Sequence, residues 1–250
     1  MNGWQAALVF VAGIWAGTIN TVVGSGTLVS FPVLLGVGLP PVTANVSNTV
    51  GLFPGSFVGA WGYRRELAGQ RKRVLVLGVA SMIGAVIGAV LLLLLPGGAF
   101  KAIVPVLIIL ALLLVVFGKQ VTAWLSARGR DATQHVTAGL WILVLGAGIY
   151  GGYFGAAQGV LLMGFLGLFL AESLQRQNAL KNVLAGIVNF VAAIVFIATT
   201  HIDWAAAGLI AAGSIIGGLL GAKIGRRLSP TVLRATIVVV GVAAIVKLLA

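Results

Sequence analysis

Cysteine is absent from this chain, histidine occurs twice, and acidic residues number four in 250 positions. Without cysteine there is no disulfide, no thiolate nucleophile and no cysteine-ligated metal. The four acids, Glu66, Asp131, Glu172 and Asp203, all fall in loops or at the ends of apolar runs. A proton- or sodium-coupled carrier commonly keeps a carboxylate inside the membrane, and a hard cation wants carboxylate oxygens. Neither provision is present, which turns attention from metal cations to anions. His135 and His201 sit in loops expected at opposite faces, so they offer neither a paired metal site nor a Ser–His arrangement. No phosphate-binding loop is found, which argues against ATP hydrolysis by this chain. No catalytic residue, metal ligand or cofactor is assigned.

Charge of either sign is scarce: 8% of residues are charged and 60% are hydrophobic, with a mean hydropathy of +1.14. A soluble domain carries about 25% charged residues, because water must solvate its surface. Lipid is therefore the expected solvent for most of this chain. The 36 glycines agree with that, since helices in lipid associate through small residues that let backbones approach. The net charge of +12 is read as cytoplasmic loop charge under the positive-inside rule, with no nucleic-acid partner.

Apolar runs fall at 4–23, 27–38, 43–61, 74–95, 101–118, 137–156, 159–171, 182–200, 205–222 and 231–249. The first run, from Trp4, lacks a basic start and is too long for a signal core, so it is read as the first membrane segment. The runs at 27–38 and 159–171 are too short to cross about 30 Å of hydrocarbon. They occupy corresponding places in the two halves and read as re-entrant or short spanning segments. Fourteen of the sixteen Lys and Arg lie in four groups: Arg64–Arg73, Lys119–Arg130, Arg176 with Lys181, and Lys223–Arg234. The connections at 38–42, 96–100 and 201–204 hold none. Assigning the basic groups to the cytoplasm gives a consistent alternation and places both termini outside.

The halves also match each other at an offset of 133. Ser81, Gly84, Gly88 and Ala89 reappear as Ser214, Gly217, Gly221 and Ala222. Gly26 pairs with Gly159, Asn45 with Asn178, and Val50 with Val183. Segment 74–95 starts at a basic loop whereas 205–222 ends at one, so the repeats are inverted, an organisation that many secondary transporters share. The expected fold is an all-α membrane protein: a polytopic helical bundle of two inverted repeats, each with a broken or re-entrant hairpin. Residues 1–118 form the first repeat, 119–136 a cytoplasmic linker and 137–250 the second repeat. The Gly84/Gly88 and Gly217/Gly221 pairs read as close helix contacts.

Each half carries a glycine-broken turn before its short segment, Asn20 to Leu28 and Gly155 to Val160. Irregular backbone at membrane depth needs protein or a watery cavity around it, and a helix beginning there presents N–H groups and partial positive charge to an anion. The candidate substrate-binding residues of the turns are Asn20, Ser25, Gly26, Thr27, Gln158 and Gly159. Polar stretches opening the next long helices add Asn45, Asn48, Thr49, Asn178, Lys181 and Asn182, which should face the interior. Lys181 reads either as an attractor for an anion or as a flank residue at the cytoplasmic surface. Asn189, aligned with Ser56, reads as interhelical glue. An ordinary tight turn at the membrane surface is the competing account of the hairpins.

These residues resemble the sulfite exporter TauE/SafE family of bacterial membrane proteins. The likeness lies in Ala16-Gly17…Gly24-Ser25-Gly26-Thr27-Leu28…Pro32 with Ala44-Asn45…Asn48-Thr49, in Tyr63-Arg64-Arg65, in the second hairpin near Gly152–Val160, and in the ending Ile202-Asp203-Trp204…Gly217…Gly221-Ala222-Lys223-Ile224-Gly225-Arg226-Arg227-Leu228-Ser229-Pro230. The resemblance implies a cytoplasmic-membrane protein that moves sulfite, sulfonates or related anions, usually outward. The second hairpin departs from the family pattern, with Gln158 standing where bare glycine backbone is expected.

The leading expectation is a secondary transporter for a small sulfur-containing anion, working by alternating access in the lipid bilayer, with homo-oligomerisation left open. A non-transporting assembly or scaffold protein is the alternative. An intramembrane enzyme stands third, for want of a nucleophile–base pair or metal cluster.

Overall fold

The computed structural model describes residues 1–128, 135–224, 235, 237–240 and 242. Nine helices run through the described residues, and no strand is found among them. They are α1 (Gly3–Val22), α2 (Thr27–Gly36), α3 (Pro41–Gly62), α4 (Arg71–Leu94), α5 (Gly97–Arg128), α6 (Ala138–Tyr153), α7 (Gln158–Phe169), α8 (Leu174–Thr199) and α9 (Trp204–Ile224). Residues 237–240 are helical as well; the rest of the expected run 231–249 lies outside the described residues.

Local chemistry sets the helix starts. Asn2 and Gln5 form a reciprocal capping box on α1, Pro41 occupies the first position of α3, and the hydroxyls of Thr137 and Ser173 cap α6 and α8. The Asp203 carboxylate accepts from the Ala206 amide at the start of α9 (2.9 Å). The polar side chains satisfy amides that the helix itself leaves free, and the proline brings none to satisfy.

Two boundaries differ from expectation. Helix α8 begins at Leu174, a few residues before the polar stretch expected to open it, and that stretch is helical because its side chains find partners inside the protein. Helix α5 runs on past 118 to Arg128, so the first part of the expected linker 119–136 is helical, while 129–134 lie outside the described residues.

Among the described residues, five helices are long and apolar enough to cross a membrane: α1, α4, residues 98–118 of α5, α8 and α9. Their apolar residues divide between two environments. On α4, Leu77, Ser81, Gly84 and Gly88 are buried, while Leu75, Val79, Met82, Val86 and Val90 are exposed on the outside of the bundle. In water such a face would be a liability; in a bilayer it meets its own kind. The protein is thus a multi-pass membrane protein.

Six helices pack in the succession α1–α9–α3–α8–α4–α6, with α5 against α7. The α1–α9 and α4–α6 contacts are backbone on backbone. A Cβ at Gly217 would strike the Ile14 carbonyl and the Thr18 amide, and one at Gly84 would strike the Leu145 carbonyl and the Ile149 amide. The glycine pairs therefore act as the expected close helix contacts. Helices α2 and α7 rise only about 15 and 18 Å at 1.5 Å per residue, too little to span, and each folds back on the helix before it.

Candidate functional site

Helices α1 and α6 both stop inside the protein, and in the same manner. The amides of Val23 and Gly24 converge on the Ile19 carbonyl (2.7 and 3.0 Å), as those of Phe154 and Gly155 converge on the Tyr150 carbonyl (2.9 and 3.0 Å). Gly24 (φ 86°) and Gly155 (φ 74°) take the left-handed conformation that reverses the chain, a backbone open to glycine at little cost.

The two turns touch. The Gly159 amide donates to the Gly24 carbonyl (2.9 Å), and a Cβ on either glycine would run into the other's backbone. Ser25 follows directly and is fully buried, its hydroxyl without a partner. Gln158 precedes Gly159, lies over Gly151 of α6, and has a buried Nε2 without a partner. Among the described residues, the amides of Ser25, Gly26 and Thr27 donate to no backbone carbonyl. Gly26 is fixed by packing, since a Cβ there would meet the Ala16 carbonyl and Cβ of Asn20.

Helix α8 closes over the end of α1. Lys181 is fully buried, and its Nζ donates to the carbonyls of Asn20 (3.1 Å) and Thr21 (3.2 Å). Asn178 and Asn182 also donate to Thr21 O (3.4 and 3.2 Å). Positions i, i+3 and i+4 share one helix face, so three polar residues of that face converge on one carbonyl. No carboxylate among the described residues pairs with Lys181: Glu172 binds Arg73 and Arg176, and Asp203 caps α9. The flank reading of Lys181 is thereby corrected, since a flank residue would reach water.

The end of α6 is served by neutral groups instead. Asn45 Nδ2 donates to Tyr153 O (3.0 Å), and the Tyr150 hydroxyl donates to Ala156 O. The side-chain carbonyl oxygens of Asn45 and Asn178 are buried without partners.

Three candidates stand apart from this cluster. Asn48 accepts from Ser30 (2.5 Å) and donates to Thr27 (3.3 Å), knitting α2 to α3. Thr49 donates to the carbonyl of Asn45 one turn back in its own helix (3.0 Å). Ser30 carried no signal beyond being a polar residue in an apolar run. Asn20 bridges outward, donating to Ser56 Oγ (3.1 Å), which also accepts from Asn189 (3.1 Å). Asn189 is interhelical glue, as expected.

A second polar group, missed at the sequence level, ties the connection α3–α4 to the connection α7–α8. Glu172 accepts from Arg73 and Arg176, both at 2.6 Å. Arg176 donates to Ala68 O (3.1 Å), and Gln70 donates to Arg176 O (3.1 Å). Partial burial alone would raise the Glu172 pKa, but hydrogen bonds from the two guanidiniums outweigh it and hold it below its ordinary value. The Glu172/Arg176 spacing of four was the available clue.

A many-helix membrane bundle whose broken helices end on buried, unpartnered donors has the build of a membrane transporter. The chain belongs to the sulfite exporter TauE/SafE family, whose profile matches residues 9–248. It is similar to "Probable membrane transporter protein ORF9" of Sinorhizobium, 31% identical over 98% of this chain and 92% of that one. It is also similar to a "Probable membrane transporter protein" of Haemophilus influenzae, 25% identical over 93% of this chain and 90% of that one. The Escherichia coli K12 "Probable membrane transporter protein YfcA" is 25% identical over 97% of this chain and 88% of its own. No solved structure matches significantly. The family is one of membrane transporters, not of enzymes.

Proposed function

We propose that this protein carries a small sulfur-containing anion, sulfite or an organosulfonate, outward across the bacterial cytoplasmic membrane by alternating access. The binding site is the meeting point of the two hairpin turns. The observation that carries this reading is Lys181: a fully buried amine with no carboxylate partner among the described residues, held against the end of α1, the helix whose turn leads to the unpartnered hydroxyl of Ser25. The family's printed description, a sulfite exporter, supports the choice of anion.

The alternating movement needs two comparable halves, 1–118 and 137–250, related as inverted repeats. Reciprocal packing supports them. Gly17 lies on Ser214 as Gly148 lies on Ser81, and Gly217 meets Ile14 and Thr18 as Gly84 meets Leu145 and Ile149. These pairs relate α1 to α6 at an offset of 131, while α4 relates to α9 at 133. The constant offset of 133 therefore holds only downstream of the hairpins, and α7, two residues longer than α2, absorbs the change. Ser56 and Asn189, 133 apart, bond to each other. Phe57 and Phe190, also 133 apart, stack edge to face with centroids 5.8 Å apart. Equivalent residues touch only near a two-fold axis.

Both polar connections, α3–α4 and α7–α8, belong to the face assigned to the cytoplasm by its basic residues, which leaves the termini external. Flux of sulfite into proteoliposomes tests the reading. Ser25→Asp, which sets a fixed negative charge at the turn, is expected to abolish it. Wild-type flux from a folded Ser25→Asp protein removes the hairpin turns as the site.

A further inference from the structure

We infer that the site is matched to a monoanion, an R–SO3⁻ sulfonate or hydrogen sulfite, and rejects oxyanions of charge two such as sulfate, with Lys181 as the one counter-charge. The inference rests on the anion reading above and adds the number of charges to it.

The count begins with the helix ends. Helix α1 ends at Val22 and α2 begins at Thr27, so a negative and a positive end, each about half an elementary charge, lie a few residues apart and largely offset. Ser25, Gln158, Asn178 and Asn182 contribute neutral dipoles only. Among the described residues, Lys181 is the one Lys, Arg, Asp or Glu side chain at these turns. Its Nζ has three N–H groups, two of which are placed on the carbonyls of Asn20 and Thr21. The third has no protein partner among the described residues.

The second hairpin is an internal control on the simpler account, that Lys181 merely caps a helix. At the offset of 133, Asn48 stands where Lys181 stands. The α6 end is closed by the amide of Asn45 and the phenol of Tyr150, all without charge. Neutral groups thus suffice to finish such a helix inside the protein. A fully buried ammonium is costly unless an opposite charge joins it, and no described carboxylate does so. One bound negative charge completes the pair. A second would itself be buried without a partner, which corresponds to about a hundredfold weaker binding.

The test uses the full-length protein in lipid nanodiscs and probes of fixed charge and similar size, methanesulfonate and sulfate, at constant ionic strength, with sulfite alongside. Calorimetry is expected to show methanesulfonate binding about a hundredfold tighter than sulfate. Lys181→Asn, which copies the sister position, is expected to stay folded and to lose methanesulfonate binding. The wild-type ratio decides the matter even if that variant does not fold. Sulfate bound within tenfold of methanesulfonate, or a folded Lys181→Asn protein that keeps the preference, overturns the charge assignment while leaving an anion site in place. If neither probe nor sulfite binds, the anion site itself falls, and this inference with it.

Discussion

The amide of Gly159 donates to the carbonyl of Gly24 across 2.9 Å, joining two turns that lie 135 residues apart. Both partners are backbone atoms, and both residues lack the carbon that would hold the chains apart. The junction places Ser25 of one hairpin and Gln158 of the other next in sequence to a single crossing point.

That junction should tolerate no added methyl group. Gly159→Ala puts a Cβ against Cα of Gly24, and overpacking of this kind costs about 1–3 kcal/mol. The expected result is a lower melting temperature in detergent and loss of anion binding. An unchanged melting temperature would mean that the turns do not meet as described.

Gln158→Leu removes an unpartnered donor with little change in volume. Loss of a hydrogen bond to a charged group costs about 1.5–3 kcal/mol, so anion affinity should fall roughly ten- to a hundredfold. Asn2→Ala serves as the contrast. It deletes the capping box of α1, costing about 1 kcal/mol of stability, and should leave affinity unchanged. Equal affinities for Gln158→Leu and the parent protein would remove Gln158 from the site.

Glu172 supplies a pH dependence. Its folded-state pKa lies below its ordinary value, so its contribution to stability is complete above the ordinary carboxylate range. That contribution fades as pH falls through the depressed folded value and the carboxylate gains a proton. The melting temperature should therefore hold steady from neutral pH down to about 5 and decline below that. Glu172→Gln should start lower and lose part of the decline. Parallel curves for the two proteins would show that the Arg73–Glu172–Arg176 group contributes nothing.

The absence of cysteine makes the chain its own background for labelling. Single cysteines at Ala68 and His201 should react with a membrane-impermeant maleimide from opposite sides, position 68 only after the cytoplasmic face is opened. Labelling of both from one side would exclude the inverted orientation of α4 and α9.

What could be read from the sequence followed the solvent. Helices α1, α4 and α9 are apolar on the faces that meet lipid and are bounded by turns or charge, so their limits came within about three residues of the runs that mark them. Hydropathy alone marks α8 only from 182, but the polar stretch before it was legible as the opening of the helix, because Gln177, Asn178, Lys181 and Asn182 have to look inward, as they do. The end of α5 was missed because its last turns leave the apolar run, and a polar helix reads like a loop.

The candidate site divides along a different line. The glycine turns were visible as composition, yet their contact was not, because a backbone–backbone junction has no side-chain signature. Thr27, Asn48 and Thr49 carry the same residue types as Ser25 and Asn178. The former satisfy one another or their own helix, and only the fold separates a spent polar atom from a free one.

The partnership of α1 with α9 has a consequence for how the protein is made. Gly17 leaves the ribosome nearly 200 residues ahead of the Ser214 backbone it lies against. At about 5–20 residues per second, α1 sits in the bilayer for roughly 10–40 s with its small-residue groove open to lipid. α4 waits a shorter time for α6. The bundle therefore closes from its middle-to-late helices outward to its first, and a chain truncated before α9 reaches the membrane with its opening helix unclaimed, a natural substrate for membrane proteolysis.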